Sequence, residues 1–228
     1  MLATIILVPT LANAISLNPL PPLYGQIFGN ENASAFNQRK AQQALKDYGY
    51  SGTVRVRKMN QIGSRLIGMQ LYSFTLLADI WLDEALLDTL DEPIRTWLIY
   101  HEVAHVVHNH HAKALAFGGI IVACTLAEFY AADSLFHNQW IASAIAGLSG
   151  SYLLHSGIQR FVRLQEKAAD IAAVKILCKN NKKHIIEAYL DHLSSLINEG
   201  HCNENDGWHY KLAEQFDYLQ YELNASGL

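Results

Sequence analysis

Charge of both signs is sparse in this 228-residue sequence. Charged residues make up 17% of it, with 17 Lys and Arg against 21 Asp and Glu and a net charge of −4. A protein that grips nucleic acid through bulk electrostatics needs a basic excess, so that class is excluded. Cysteine is scarce too: Cys124, Cys178 and Cys202 are an odd number with no C-x-x-C pair. That excludes a complete disulfide framework and a cysteine zinc knuckle. There is no internal repeat and no low-complexity tract. The apolar fraction is 50%, enough for a packed core, which excludes a disordered chain. Function therefore has to rest on local motifs.

The first 38 residues contain no Lys or Arg, and Glu31 is their only charge. Residues 2–8 form a short apolar run, followed by Pro9 and the small-x-small triplet Ala12-Asn13-Ala14. This has the shape of a secretory signal without its basic start, so it reads either as an export signal or anchor or as a hydrophobic N-terminus that imitates one. Residues 16–33, with Pro19, Pro21, Pro22, Gly25 and Gly29, read as an irregular linker. The predicted organisation is a segment 1–33 followed by a domain 34–228.

Within that domain the pattern predicts a helix over 34–48 stopped by Gly49, a strand over 53–58, and further strands over 65–75 and 78–82. A helical turn is expected at 84–90. Asp91 and Pro93 then mark the start of a helix that should run through 101–110. Residues 114–127 and 134–159 carry no charge, and Glu128 and Asp133 are the only charges between Lys113 and Arg160. Two readings stand for this region: a bilayer span, for which the second stretch has the length, or a buried helical hairpin. Helices over 160–178, 182–198 and 210–223 complete an α+β, predominantly helical chain.

The chemistry lies in His101-Glu102-Val103-Ala104-His105. On a helix, residues four apart share a face. His101 and His105 can therefore aim imidazole nitrogens at one metal, with Glu102 beside the position of an activated water. A catalytic zinc takes three protein ligands, and Glu166 is the candidate for the third. Glu166 and Asp170 are again four apart, and Asp170 is placed to accept the free ring N–H of a ligating histidine. An isolated pair of this kind is ordinarily a solvated helix face. Here Ala168, Ala169, Ile171, Ala172 and Val174 make the helix suited to close packing, which favours a buried site.

These two motifs, H-E-x-x-H and E-x-x-A-D, resemble those of metallopeptidase family 48. That group of gluzincin zinc metallopeptidases includes the HtpX, CAAX prenyl protease and periplasmic and mitochondrial quality-control types. The similarity extends over about residues 34–222. Residues 78–82, 86–87 and 97–100 look like the family's edge strand, short helix and active-site helix. The 60 residues between His105 and Glu166 are in keeping with a hydrophobic insertion at about 114–159. His110 matches a histidine that often closes the active-site helix, although Asn109 stands where Arg is usual. The family often ends with His-Pro…Arg, and Trp208-His209-Tyr210 with Gln215 takes that place without the Pro or the Arg. His209 is thus a catalytic candidate with an exposed loop histidine as its alternative.

The resemblance implies a zincin-like domain with a small mixed sheet and one Zn2+ held by His101, His105 and Glu166. It also implies Glu102 as general base and an extended polypeptide substrate bound along the strand at 78–82. The expected activity is metalloendopeptidase cleavage of misfolded or membrane-associated proteins through a metal-activated water. The alternatives are an inactive membrane-associated scaffold keeping a vestigial zinc site, and a metal-binding protein using the histidines of 101–111. The intact set His101, Glu102, His105, Glu166 and Asp170 argues against decay.

His108, His110 and His111 read as a polar helix end, His137 as a hairpin tip and His155 as a buried, hydrogen-bonded residue. Cys124 reads as a small core residue, and Cys178 could pair with Cys202 after export. Localisation divides. The N-terminus favours export, whereas Lys113, Arg160, Arg163 and Lys167 beside the hairpin would keep the catalytic side of a membrane-spanning chain in the cytoplasm.

Overall fold

A computed structural model describes residues 28–60, 73–76, 79–200 and 210–226. The expected signal or anchor, the first part of the strand expected over 65–75, Cys202 and His209 lie outside the described residues.

Helix α1 (Ala35–Asp47) starts at Ser34, whose hydroxyl accepts the Asn37 amide. Glu84 then ties this start to the next layer, accepting from Ser34 N at 2.7 Å and from Asn37 Nδ2 at 2.6 Å. The helix stops at Gly49, whose φ of 71° only glycine adopts without strain. Strands β1 (Arg55–Lys58), β2 (Ser73–Leu76) and β3 (Asp79–Leu82) form a mixed sheet in the order β1-β3-β2. β1 runs parallel to β3 and β2 antiparallel to it, with Thr75 opposite Ile80.

β3 is therefore the central strand, not the edge strand expected over 78–82. Its burial says the same, since Asp79, Ile80, Trp81 and Leu82 are all buried. Asp79 is neutralised by Arg55 at 2.5 Å and Arg57 at 3.1 Å from the neighbouring strand. The end of the expected linker is also drawn in: Ala33 N donates to Val56 O and Lys58 N to Glu31 O, so residues 31–33 run beside β1.

After a short helix α2 (Glu84–Leu87), helix α3 (Glu92–Val107) is the core's axis. Trp97, Ile99, Tyr100 and Val103 are fully enclosed, and Trp97 stacks on Tyr189 with ring centroids 4.8 Å apart. The helix ends sooner than the pattern predicts. Asn109 takes left-handed angles (φ 52°, ψ 40°), and a new helix begins at His110. Asparagine tolerates this region better than most residues, which is why the break falls there without a glycine.

That new helix, α4 (His110–Phe136), turns at His137 into α5 (Gln139–Tyr152), with Asn138 accepting the Trp140 and Ile141 amides. His137 is thus at the hairpin tip, as expected. A π-helical turn (Leu153–Gly157) leads straight into α6 (Ile158–Lys179). The two arms approach closely at Gly150, where a Cβ would come within 2.7 Å of the Thr125 methyl. The Ser149 hydroxyl donates to Glu128 across the same seam.

The turn divides the 134–159 stretch, so among the described residues α4 is the helix long and apolar enough to cross a membrane. Among the described residues, nothing packs on most of the hairpin's outer surface. Cys124 and His155 lie on that surface, exposed rather than buried, because no other described element covers those faces.

Helices α7 (Lys183–Asn198) and α8 (Leu212–Ala225) complete the head. Their Ile186, Tyr189, Leu193 and Leu219 close over α3 and α6. The outcome is a predominantly helical chain with one small mixed sheet.

Candidate metal centre

Helix α3 carries His101, Glu102 and His105, and α6 carries Glu166 and Asp170. The two helices pack so that the histidines face the carboxylates. His101 Nε2 lies 3.1 Å from His105 Nε2 and 3.1 Å from Glu166 Oε2, and His105 Nε2 lies 3.5 Å from Glu166 Oε1. One donor atom from each of the three residues falls within 4.8 Å of the others. Two imidazoles and a carboxylate converging on one point are a donor set suited to zinc, and the residues present fit such an ion.

Each imidazole uses its second nitrogen elsewhere. His101 Nδ1 donates to Asp170 Oδ1 at 2.7 Å. Asp170 is 1% exposed, and its other oxygen accepts from Gln215 Nε2 at 2.9 Å and from the Tyr218 hydroxyl, both on α8. His105 Nδ1 lies 3.0 Å from His110 Nδ1, and His110 is 3% exposed. The rings are thus held from behind while their Nε2 atoms face Glu166.

Burial alone would make His101 harder to protonate, but the carboxylates of Asp170 and Glu166 outweigh it and hold the ring well above the ordinary histidine value. Glu166 moves the other way: burial opposes its ionisation, yet His105 and His101 hold it well below the usual carboxylate range. Burial and the Asp170 charge push the Tyr218 phenol up, which keeps it a donor.

Glu102 is buried and points toward the sheet. Ser73 Oγ donates to its Oε1 at 2.8 Å and Thr75 Oγ1 to its Oε2 at 2.5 Å. Alternate residues of a strand share a face, so β2, rather than the strand at 78–82, is the one that touches the site.

The structure therefore brings together His101, His105, Glu166 and Asp170, and places Glu102 beside His101 on the same turn of α3. Sequence reasoning missed Ser73, Thr75, Tyr218 and the inward position of His110. It placed Gln215 only by analogy with a family arginine. Asn109 was the available signal for His110, since asparagine after a helical run marks a left-handed stop. His108 is exposed and stacks on His110 with centroids 5.6 Å apart.

No curated protein and no solved structure matches the chain. The family comparison is positive: residues 66–201, which include both motifs, match the model of peptidase family M48. That match spans more than half of the sequence, and the chain belongs to peptidase family M48.

Proposed function

We propose that this chain is a zinc-dependent metalloendopeptidase of zincin-like architecture, with His101, His105 and Glu166 holding the metal. The observation that carries the reading is the convergence of those three side chains with their outer atoms satisfied. A bound zinc would supply Lewis acidity, making water more acidic and the scissile carbonyl more electrophilic. Glu102 takes the proton from the attacking water and returns it to the leaving amine. Asp170 keeps His101 in the tautomer that leaves Nε2 free. His209, just before α8 in sequence, is the candidate to stabilise negative charge developing on the substrate.

An extended polypeptide would lie along β2, whose Ser73 and Thr75 already reach Glu102. Strand addition supplies affinity through the backbone and demands little of the sequence, which suits misfolded clients. The exposed hairpin within 114–159 would hold the 34–228 domain at a membrane. A scaffold with a vestigial site is disfavoured because every residue of the constellation is present and partnered.

The test compares wild type with Glu102→Gln for zinc content and cleavage of casein or of the chain itself. The expected outcome is full zinc retention with cleavage reduced by about 100- to 10,000-fold. Unchanged cleavage would remove Glu102 from the mechanism, and absence of zinc from both proteins would remove the site.

A further inference from the structure

His110 belongs to the hairpin helix, yet it is enclosed at 3% exposure and faces His105. In an unbroken helix, residues five apart differ by roughly 140° around the axis, so two such rings would point away from each other. The left-handed Asn109 between α3 and α4 cancels that offset and folds His110 back over His105. A second contact fixes the fold-back. Gln165 Nε2, on the residue preceding Glu166, donates to the His110 carbonyl at 3.0 Å.

We propose that His110 is a positioning residue for the metal: its Nδ1 accepts the Nδ1–H of His105 and holds His105 Nε2 on the ion. The inference rests on the metallopeptidase reading and adds a role to a residue outside the ligand set. His110 is not a fourth ligand, because it meets the nitrogen of His105 that faces away from His101 and Glu166. The two ligating histidines are then held differently, His101 by a buried carboxylate and His105 by a neutral imidazole. The same peptide that opens the hairpin helix closes the metal site.

Zinc affinity, measured by competition with a chromophoric chelator, tests this without reference to activity. His110→Leu and His110→Ala should bind zinc about 10- to 100-fold more weakly than wild type. His110→Gln, whose amide oxygen can still accept, should recover most of the loss. Wild-type affinity in the Leu and Ala variants, or an equal loss in His110→Gln, would overturn the proposal. Should the Leu and Ala variants fail to fold, Asn109→Val carries the test, since a β-branched residue disfavours the left-handed turn and displaces His110 intact. A similar loss is expected there, and unchanged affinity overturns the assignment. A wild-type chain that takes up no stoichiometric zinc defeats the metallopeptidase reading instead, so the two failures are distinguishable.

Discussion

A histidine that serves a metal has two ring nitrogens, and the one that does not touch the ion decides where the other points. In this chain the outer nitrogen of His101 meets Asp170, itself held by Gln215 and Tyr218 from the last helix. The layers run from α8 through α6 to α3, so residues far apart in sequence set one ring's orientation. Asp170→Asn keeps the shape but removes the charge, and its amide can no longer accept on both sides. Zinc affinity should fall by about 10- to 100-fold, while Tyr218→Phe, which removes one of the three donors to Asp170, should lose only a few-fold. Chelator competition on the two proteins measures both. Equal affinity in Asp170→Asn and wild type would show that the carboxylate does not set the ring.

Elements explain what could and could not be read in advance. The H-E-x-x-H helix and the Glu166–Asp170 face were legible because their logic is local: both depend on spacing along one helix. Strand order was not. Whether residues 79–82 form an edge or a centre depends on β1 and β2 arriving from either side, which no period-two pattern encodes. The early end of α3 had one local signal, Asn109, but whether an asparagine continues a helix or takes left-handed angles is settled by what packs on either side of it.

The seating of α3 illustrates a third case, a polar tie joining distant positions. The Tyr100 hydroxyl donates to Asp47 Oδ2 at 2.5 Å, and Lys182 Nζ donates to the same oxygen at 2.7 Å and to the Tyr100 hydroxyl at 2.8 Å. The tie links the end of α1, the residue before His101 and the entry to α7. Burial resists ionisation of Asp47, but hydrogen bonds from Lys182, Tyr100 and Gln43 outweigh it and lower its pKa below the ordinary 3.8. Burial and the Asp47 charge together raise the Tyr100 phenol above its ordinary 10.0.

The signs follow. A depressed carboxyl stabilises the fold above its unfolded pKa and loses that effect as acid protonates it in the folded state. A raised phenol loses its contribution once the unfolded chain ionises first, above about pH 10. The thermal-stability difference between wild type and Asp47→Asn should therefore be constant from about pH 5 to 9 and shrink below about pH 4. Tyr100→Phe should cost about 1.5–3 kcal/mol at neutral pH, the range of one hydrogen bond to a charged group. A pH-independent difference for Asp47→Asn would show that the tie is not ionic.

At the scale of the whole molecule the described residues divide into a packed head and a hairpin whose outer surface no other described element covers. Leu126, Tyr130, Leu135, Phe136, Trp140 and Leu148 are each more than half exposed on it. Fully burying a side chain of this size is worth about 1.5–3 kcal/mol, so such a surface has a strong drive toward an apolar phase. The 27 residues of α4 span about 40 Å, against a hydrocarbon core of about 30 Å, so that helix is long enough to cross a bilayer.

Lys113 and Arg160 stand where the two arms enter the head, next to His110 and Glu166, and the only charges between them are Glu128 and Asp133 on α4. Membranes from expressing cells should therefore retain the protein through alkaline carbonate, and purified protein should float with phosphatidylcholine vesicles. Leu126→Asp, at mid-hairpin, should weaken insertion by roughly 3–4 kcal/mol and shift the protein toward the soluble fraction. Its zinc content should not change, because the ligands lie outside the hairpin. Quantitative release of the wild type by carbonate would mean that the hairpin rests against a surface or a protein partner rather than crossing lipid. Loss of zinc in Leu126→Asp would mean that a disturbance at mid-hairpin reaches the site through His110.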